Sequence, residues 1–195
     1  MNKINELVFI LDASGSMYDK AKDVIGGFNS IIDTQKEIEG EAYVTVVVFD
    51  DEVKIIVDRC NLKDVKAITP KEYKCSGTTA LLDAIGMSIN HIDKIHHYIR
   101  KEDVPSKTTF FITTDGLENA SKEYDFKTIK KMISDYTKEK EWEFNFLAQN
   151  IDAASCGQEL GIKAEYCANY SDDNEGIAKQ FSDINACVSR KRTRD

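Results

Sequence analysis

Proline is scarce in this chain, with two residues in 195, and no stretch is rich in Pro, Gly or Ser. Linkers between domains are built from those residues, so no internal domain boundary is expected. Cysteine occurs an odd number of times, five in all (Cys60, Cys75, Cys156, Cys167 and Cys187), and no two form a CxxC pair. That pattern suits neither a disulfide framework nor a zinc site; it reads as reduced thiols in a cytoplasmic protein. Long apolar runs are missing too. Leu7–Leu11 is too short for a signal-peptide core, and nothing approaches the roughly 18 apolar residues of a membrane span.

Clustered positive charge is equally thin. The formal net charge is −8. Nucleic acid is bound through grouped Lys and Arg that neutralise phosphates, so it is not an expected partner. The one basic cluster, Arg190, Lys191, Arg192 and Arg194, lies beyond the last apolar residue. We expect a single domain over residues 1–189 and a solvated basic tail over 190–195.

Several enzyme signatures are also absent. There is no GxxxxGK[ST] phosphate loop, no GxGxxG after a strand and no G-x-S-x-G elbow. The three histidines, His91, His96 and His97, crowd one helical segment far from every candidate loop. Their spacing lacks the i, i+4 pair that suits a metal, and they are expected at the surface or its boundary.

What is present is a globular composition, 42% hydrophobic and 31% charged, arranged as short apolar runs alternating with amphipathic stretches. The runs Leu7–Leu11, Tyr43–Phe49, Val53–Val57, Thr108–Thr113 and Phe144–Ala148 are rich in Val, Ile, Phe and Thr. Near-continuous apolarity suits strands buried on both faces of a parallel sheet. Asp50-Asp51-Glu52 turns Tyr43–Val57 into a hairpin, which makes its second strand an antiparallel edge. Helical periods lie between the runs. Val24, Ile25, Phe28, Ile31 and Ile32 share one face, although Gly26-Gly27 weakens that helix. Leu81 to Ile99 marks a long helix ending before Pro105; Phe126 to Tyr136 and Ile177 to Val188 mark two more. A short helix over 152–160 and a short strand over 164–167 complete the pattern. The expected fold class is α/β: a doubly wound, Rossmann-like, mostly parallel sheet with one antiparallel edge strand and helices on both faces.

Three loops carry the chemistry. The first strand runs into Asp12-Ala13-Ser14-Gly15-Ser16, a D-x-S-x-S pattern. Alternate side chains of an extended segment point the same way, so one carboxylate and two hydroxyls can converge. Such hard oxygen donors select Mg²⁺, Mn²⁺ or Ca²⁺ over zinc or copper. The same residue types also turn chains and cap helices, so the pattern alone decides little. A second apolar strand ends in Thr113-Thr114-Asp115-Gly116, and Ser76-Gly77-Thr78-Thr79 feeds the long helix.

In this order and spacing the three segments resemble the metal-ion-dependent adhesion site (MIDAS) of von Willebrand factor A (vWA) domains, the microbial cytoplasmic type in particular. The resemblance runs from about Glu6 to the last helix. It implies a sheet in the order 3-2-1-4-5-6, with Asp12 and Asp115 flanking the crevice where that order reverses. It also implies a metal held by Asp12, Ser14, Ser16, Thr78 and Asp115. The usual Gly-Gly-Thr of the middle loop is Ser76-Gly77-Thr78 here, which leaves Thr79 as an alternative to Thr78. The metal is expected to be Mg²⁺ or Mn²⁺ rather than Ca²⁺. Neutral hydroxyl ligands keep such an ion electrophilic, and the resemblance fills its open position with an Asp or Glu from a partner protein.

The implied function is therefore a metal-dependent protein-binding module and not an enzyme. The competing reading is a metal-dependent phosphoryl-transfer enzyme with Asp12 as nucleophile, although Ser14 stands where a second acid is wanted. A structural module with a vestigial site would have lost a ligand. Asp83 reads either as a helix-start carboxylate or as a support to the metal site. Glu118, Asn119 and Gln149-Asn150 lie on the same rim. Neither motif contains Lys or Arg, so Asp12 and Asp115 are expected to face each other without a counter-charge.

Overall fold

The computed structural model describes residues 4–193. Six strands form one sheet: β1 (Asn5–Asp12), β2 (Ala42–Phe49), β3 (Val53–Asn61), β4 (Lys107–Thr114), β5 (Glu143–Gln149) and β6 (Cys167–Tyr170). The spatial order is β3-β2-β1-β4-β5-β6. Only the β2–β3 pair is antiparallel. Five helices cover the faces: α1 (Ala21–Lys36), α2 (Leu81–Tyr98), α3 (Phe126–Lys140), α4 (Ala153–Leu160) and α5 (Asn174–Thr193). This is the doubly wound α/β architecture expected from the alternating runs.

Alternation along the central strands divides the core in two. Leu7, Phe9 and Leu11 of β1 pack with Phe111 against Phe28, Ile31 and Ile32 of α1 and Ile177, Phe181 and Ile184 of α5. Val8 and Ile10 point the other way and pack with Phe110, Ile112 and Phe146 against Ile85 and Ile89 of α2 and Ile129 of α3. Every residue of β1 is buried, because both its neighbours are parallel strands and both its faces carry helices.

Gly27 has a packing reason. A Cβ there would lie 2.5 Å from the Phe181 ring, so α5 can cross α1 this closely only over a glycine. The helical cost of that residue is offset by the contact it permits.

Three details differ from the sequence reading and one adds to it. The edge strand β3 runs to Asn61 rather than Val57, with register irregularities opposite Val44–Val47 and Arg59 at φ +39°. The last strand is Cys167–Tyr170, while Ala164–Tyr166 forms a 3₁₀ turn. That strand is four residues long and only half-buried, so it has almost no hydrophobic pattern to read. His96 lies at the boundary as expected but has a partner the spacing did not show: its side chain, 6% exposed, lies 3.3 Å from the buried Glu6 carboxylate, which Arg59 also pairs at 2.9 Å. The last correction concerns the basic end. Residues 190–193 continue α5, and Arg192 donates to the carbonyls of Gln35, Ile38 and Gly40, satisfying the C-terminal end of α1. A guanidinium finds orphan carbonyls there, so this stretch is docked rather than solvated; Arg194 lies outside the described residues. No helix among the described residues is long and apolar enough to cross a membrane.

Candidate metal site at the carboxyl edge of the sheet

β1 and β4 are parallel neighbours in register Leu11↔Thr113, and the sheet order reverses between them. Both chains leave the sheet at the same edge, so Asp12 and Asp115 come together from positions 103 residues apart in sequence. The Asp12 carboxylate is fixed at both oxygens. Oδ1 accepts from the Ser14 amide at 2.8 Å, and Oδ2 accepts from the Thr114 hydroxyl at 2.7 Å. Tyr73, itself buried, donates its hydroxyl to the Asp12 main-chain carbonyl.

The hydroxyls continue the chain of oxygens. Ser14 Oγ lies 3.1 Å from Ser16 Oγ, and Ser16 Oγ donates to Asp115 Oδ1 at 2.6 Å. Asp12, Ser14 and Asp115 are 1%, 2% and 4% exposed, whereas Ser16 is open to solvent. The cluster is thus a polar pit with a hydroxyl at its mouth. Burial pushes the Asp12 carboxyl above its ordinary value; hydrogen bonds from Ser14 and Thr114 offset part of that, and the nearby Asp115 charge adds to it.

The middle loop is docked onto the first. Ser76 N donates to Ala13 O at 2.9 Å and Gly15 N donates to Gly77 O at 3.2 Å. Gly77 sits at φ +61°, and a Cβ there would lie 1.9 Å from Asp51 Oδ1, so this turn favours glycine. The two threonines then diverge. Thr79 is buried and zipped to the β4 loop, its amide donating to Asn119 Oδ1 and its carbonyl accepting from Asn119 N. Thr78 is exposed beside the pit. Among the described residues no hydrogen bond links Thr78 to the Asp12–Asp115 cluster. Four of the five expected ligands are therefore joined in one network, and the fifth stands on an adjoining loop.

The carboxylates near the rim are occupied. Asp83 accepts from the amides of Lys122, Glu123 and Tyr124 at 2.8–2.9 Å. Glu118 accepts from the amides of Leu82, Ala120 and Ser121. Each holds the other's segment, which locks the Asp115 loop to the start of α2. Asp83 therefore acts on the loop rather than on the site directly.

Sequence reasoning missed one charge. Lys20, at the end of the 3₁₀ turn Gly15–Lys20, donates to Asp115 Oδ2 at 2.8 Å and also pairs with Asp172 in the β6–α5 loop. The expectation of two uncompensated carboxylates is thus corrected. Lys20 belongs to neither motif, and only the tight turn of residues 15–20 folds it back over the site. Thr114 and Tyr73 were missed as well. Thr114 stood in the Thr-Thr-Asp-Gly run and could have been found there; nothing local marks Tyr73.

No protein-family model matches the sequence, and no curated protein is recognisably related by sequence. Solved structures do match. The vWF domain of the type V pili tip protein Mfa5 from Porphyromonas gingivalis aligns with a TM-score of 0.71 at 11% identity, covering 100% of this chain and 98% of that one. The fold is that of a vWA domain. The pilus adhesin SpaC from Lactobacillus rhamnosus GG aligns at TM-score 0.73 and 10% identity, over 96% of this chain and 30% of that one. Proximal thread matrix protein 1 from the mussel byssus, in a form described with a zinc-occupied MIDAS motif, aligns at TM-score 0.63 and 14% identity. It is covered over 46% of its length, so this chain spans about half of that protein. Identities this low establish the vWA fold and nothing further.

The donor set fits a hard divalent cation. Among the described residues no group of three or more His, Cys, Asp or Glu side chains is placed to hold a metal. The fit rests on two carboxylates together with serine hydroxyls, an oxygen-only set of the kind Mg²⁺ and Mn²⁺ accept.

Proposed function

We propose that this vWA-like chain is a divalent-metal-dependent protein-binding module. Asp12, Ser14, Ser16, Thr78 and Asp115 hold Mg²⁺ or Mn²⁺ at the switch point between β1 and β4. Ca²⁺ suits the set less well, since it favours six to eight oxygen ligands and more carboxylates. The observation that carries this reading is the continuous network Asp12–Ser14–Ser16–Asp115, buried at its base and open at Ser16. When bound, the ion supplies an electrophilic position for a partner's Asp or Glu carboxylate. The zinc described for the mussel protein's MIDAS motif is consistent with a divalent ion at this place in the fold.

A binder without turnover fits this geometry better than an enzyme does. A phosphoryl-transfer site with Asp12 as nucleophile wants a second acid two residues later, and Ser14 stands at that position. All five cysteines are free thiols, which suits a reducing compartment such as the cytoplasm.

The test is metal binding by calorimetry, followed by capture of a partner from source lysate on immobilised protein, in Mg²⁺ and in EDTA. Wild type should bind one ion per chain and retain an acidic partner only with Mg²⁺, and Asp12→Asn should do neither. Partner capture that is indifferent to EDTA and to Asp12→Asn sinks the reading. Phosphatase activity that tracks wild type and vanishes in Asp12→Asn would favour the enzyme instead.

A further inference from the structure

Lys20 stands out because its charge lies where a cation site should repel it. Its side chain is only 12% exposed, and the Asp115 carboxylate it holds is 1% exposed. The ammonium takes Asp115 Oδ2 while Ser16 takes Oδ1, so both oxygens of that carboxylate already serve donors. Lys20 has a second acid, Asp172, already within pairing distance and 37% exposed. Moving from two partners to one requires no large excursion of its stem. The count of charges agrees. Asp12 and Asp115 carry two negative charges, Lys20 returns one, and a divalent ion would match the two carboxylates with Lys20 left to Asp172.

We propose that Lys20 is a built-in counter-cation of this site. It neutralises Asp115 when no metal is bound and gives way toward Asp172 when a divalent ion binds. The chain thereby sets its own metal affinity below what its oxygen donors alone would give. The inference rests on the metal-binding reading and adds a residue outside the ligand set. Two physical effects point the same way. A unit positive charge a few ångströms from a divalent ion repels it in a partly buried site, where screening is weak. The hydrogen bond from Lys20 must also be released before Asp115 can turn to a new cation.

The experiment is titration of Mn²⁺ and Mg²⁺ into metal-stripped wild type, Lys20→Gln and Lys20→Arg by calorimetry, with thermal melts of each protein in EDTA and in Mg²⁺. Lys20→Gln keeps a polar stem but no charge, and it should bind roughly tenfold tighter or more, about 1.4 kcal/mol. Lys20→Arg keeps the charge and should bind no tighter than wild type. In EDTA, Lys20→Gln should melt below wild type, since Asp115 has lost its counter-charge; saturating Mg²⁺ should close that gap. Should Lys20→Gln fail to fold, Asp172→Asn gives a second readout. It leaves Lys20 only Asp115 to pair with, so it should weaken metal binding severalfold, and unchanged or tighter binding overturns the proposal. Equal or weaker binding by folded Lys20→Gln, with wild type binding normally, overturns this proposal and leaves the metal site standing. Absence of metal binding in both wild type and Lys20→Gln overturns the two readings together.

Discussion

A carboxylate buried as deeply as Asp12 is tolerable only because each oxygen has a donor. The Ser14 amide and the Thr114 hydroxyl supply them. Burial still disfavours the charged form and raises the carboxyl's pKa, so the ionised group costs the folded state some stability. A cation would repay that cost; a neutral isostere never incurs it. Asp12→Asn is therefore expected to behave oppositely in two buffers. In EDTA its melting temperature should match or exceed that of wild type. With Mg²⁺ at a hundredfold excess over its dissociation constant, wild type should gain roughly 2.7 kcal/mol and the variant none. If Asp12 only capped a turn, Asn would replace it at little cost and the two proteins would melt alike in both conditions. Melts of the two proteins in the two buffers separate the cases.

At the scale of elements, the site is positioned by loops that fasten one another. The start of α2 and the segment after β4 exchange carboxylates: Glu118 accepts from Leu82, and Asp83 accepts from three amides of residues 122–124. The Gly77 turn lies against Gly15 and Asp51. Asp115 leaves β4 within this clamp, so its direction depends on the start of α2. Asp83→Ala removes one acceptor shared by the main-chain amides of Lys122, Glu123 and Tyr124. It should destabilise the domain by about 2 kcal/mol or more, since hydrogen bonds to charged groups are the stronger kind. Hydrogen exchange should accelerate selectively over residues 118–124. Uniform exchange across the domain would show that the loop is held by other contacts.

For the molecule as a whole, the metal is expected to tune stability without creating the fold. Two apolar layers, one under α1 and α5 and one under α2 and α3, are built from side chains other than the candidate ligands. That contrasts with small domains whose core is the metal site itself. EDTA should therefore lower the melting temperature of wild type while leaving the far-ultraviolet circular dichroism at 25 °C unchanged. Loss of helical signal on chelation would mean that the ion is structural.

The sequence by itself determined the α/β class, because near-continuous apolar runs of Val, Ile and Phe fit only strands covered on both faces. It also determined the antiparallel edge, from the short acidic turn between β2 and β3, and four of the oxygen donors that meet at the sheet edge. Those readings depend on local periodicity and residue chemistry, which a linear string carries. It did not reveal Lys20 over Asp115, Tyr73 beneath Asp12, the exchange between Asp83 and Glu118, or the docking of Arg192 on the end of α1. Each of these joins residues far apart in the chain or depends on how tightly one turn folds back. A lysine in sequence is a solvated charge until packing brings a buried acid to it. The strand near Cys167 was placed three residues too early for a different reason, since a short half-buried edge strand imposes almost no pattern on its residues. Only the tertiary structure decided which charges neutralise one another, because that depends on distance and burial rather than on spacing along the chain.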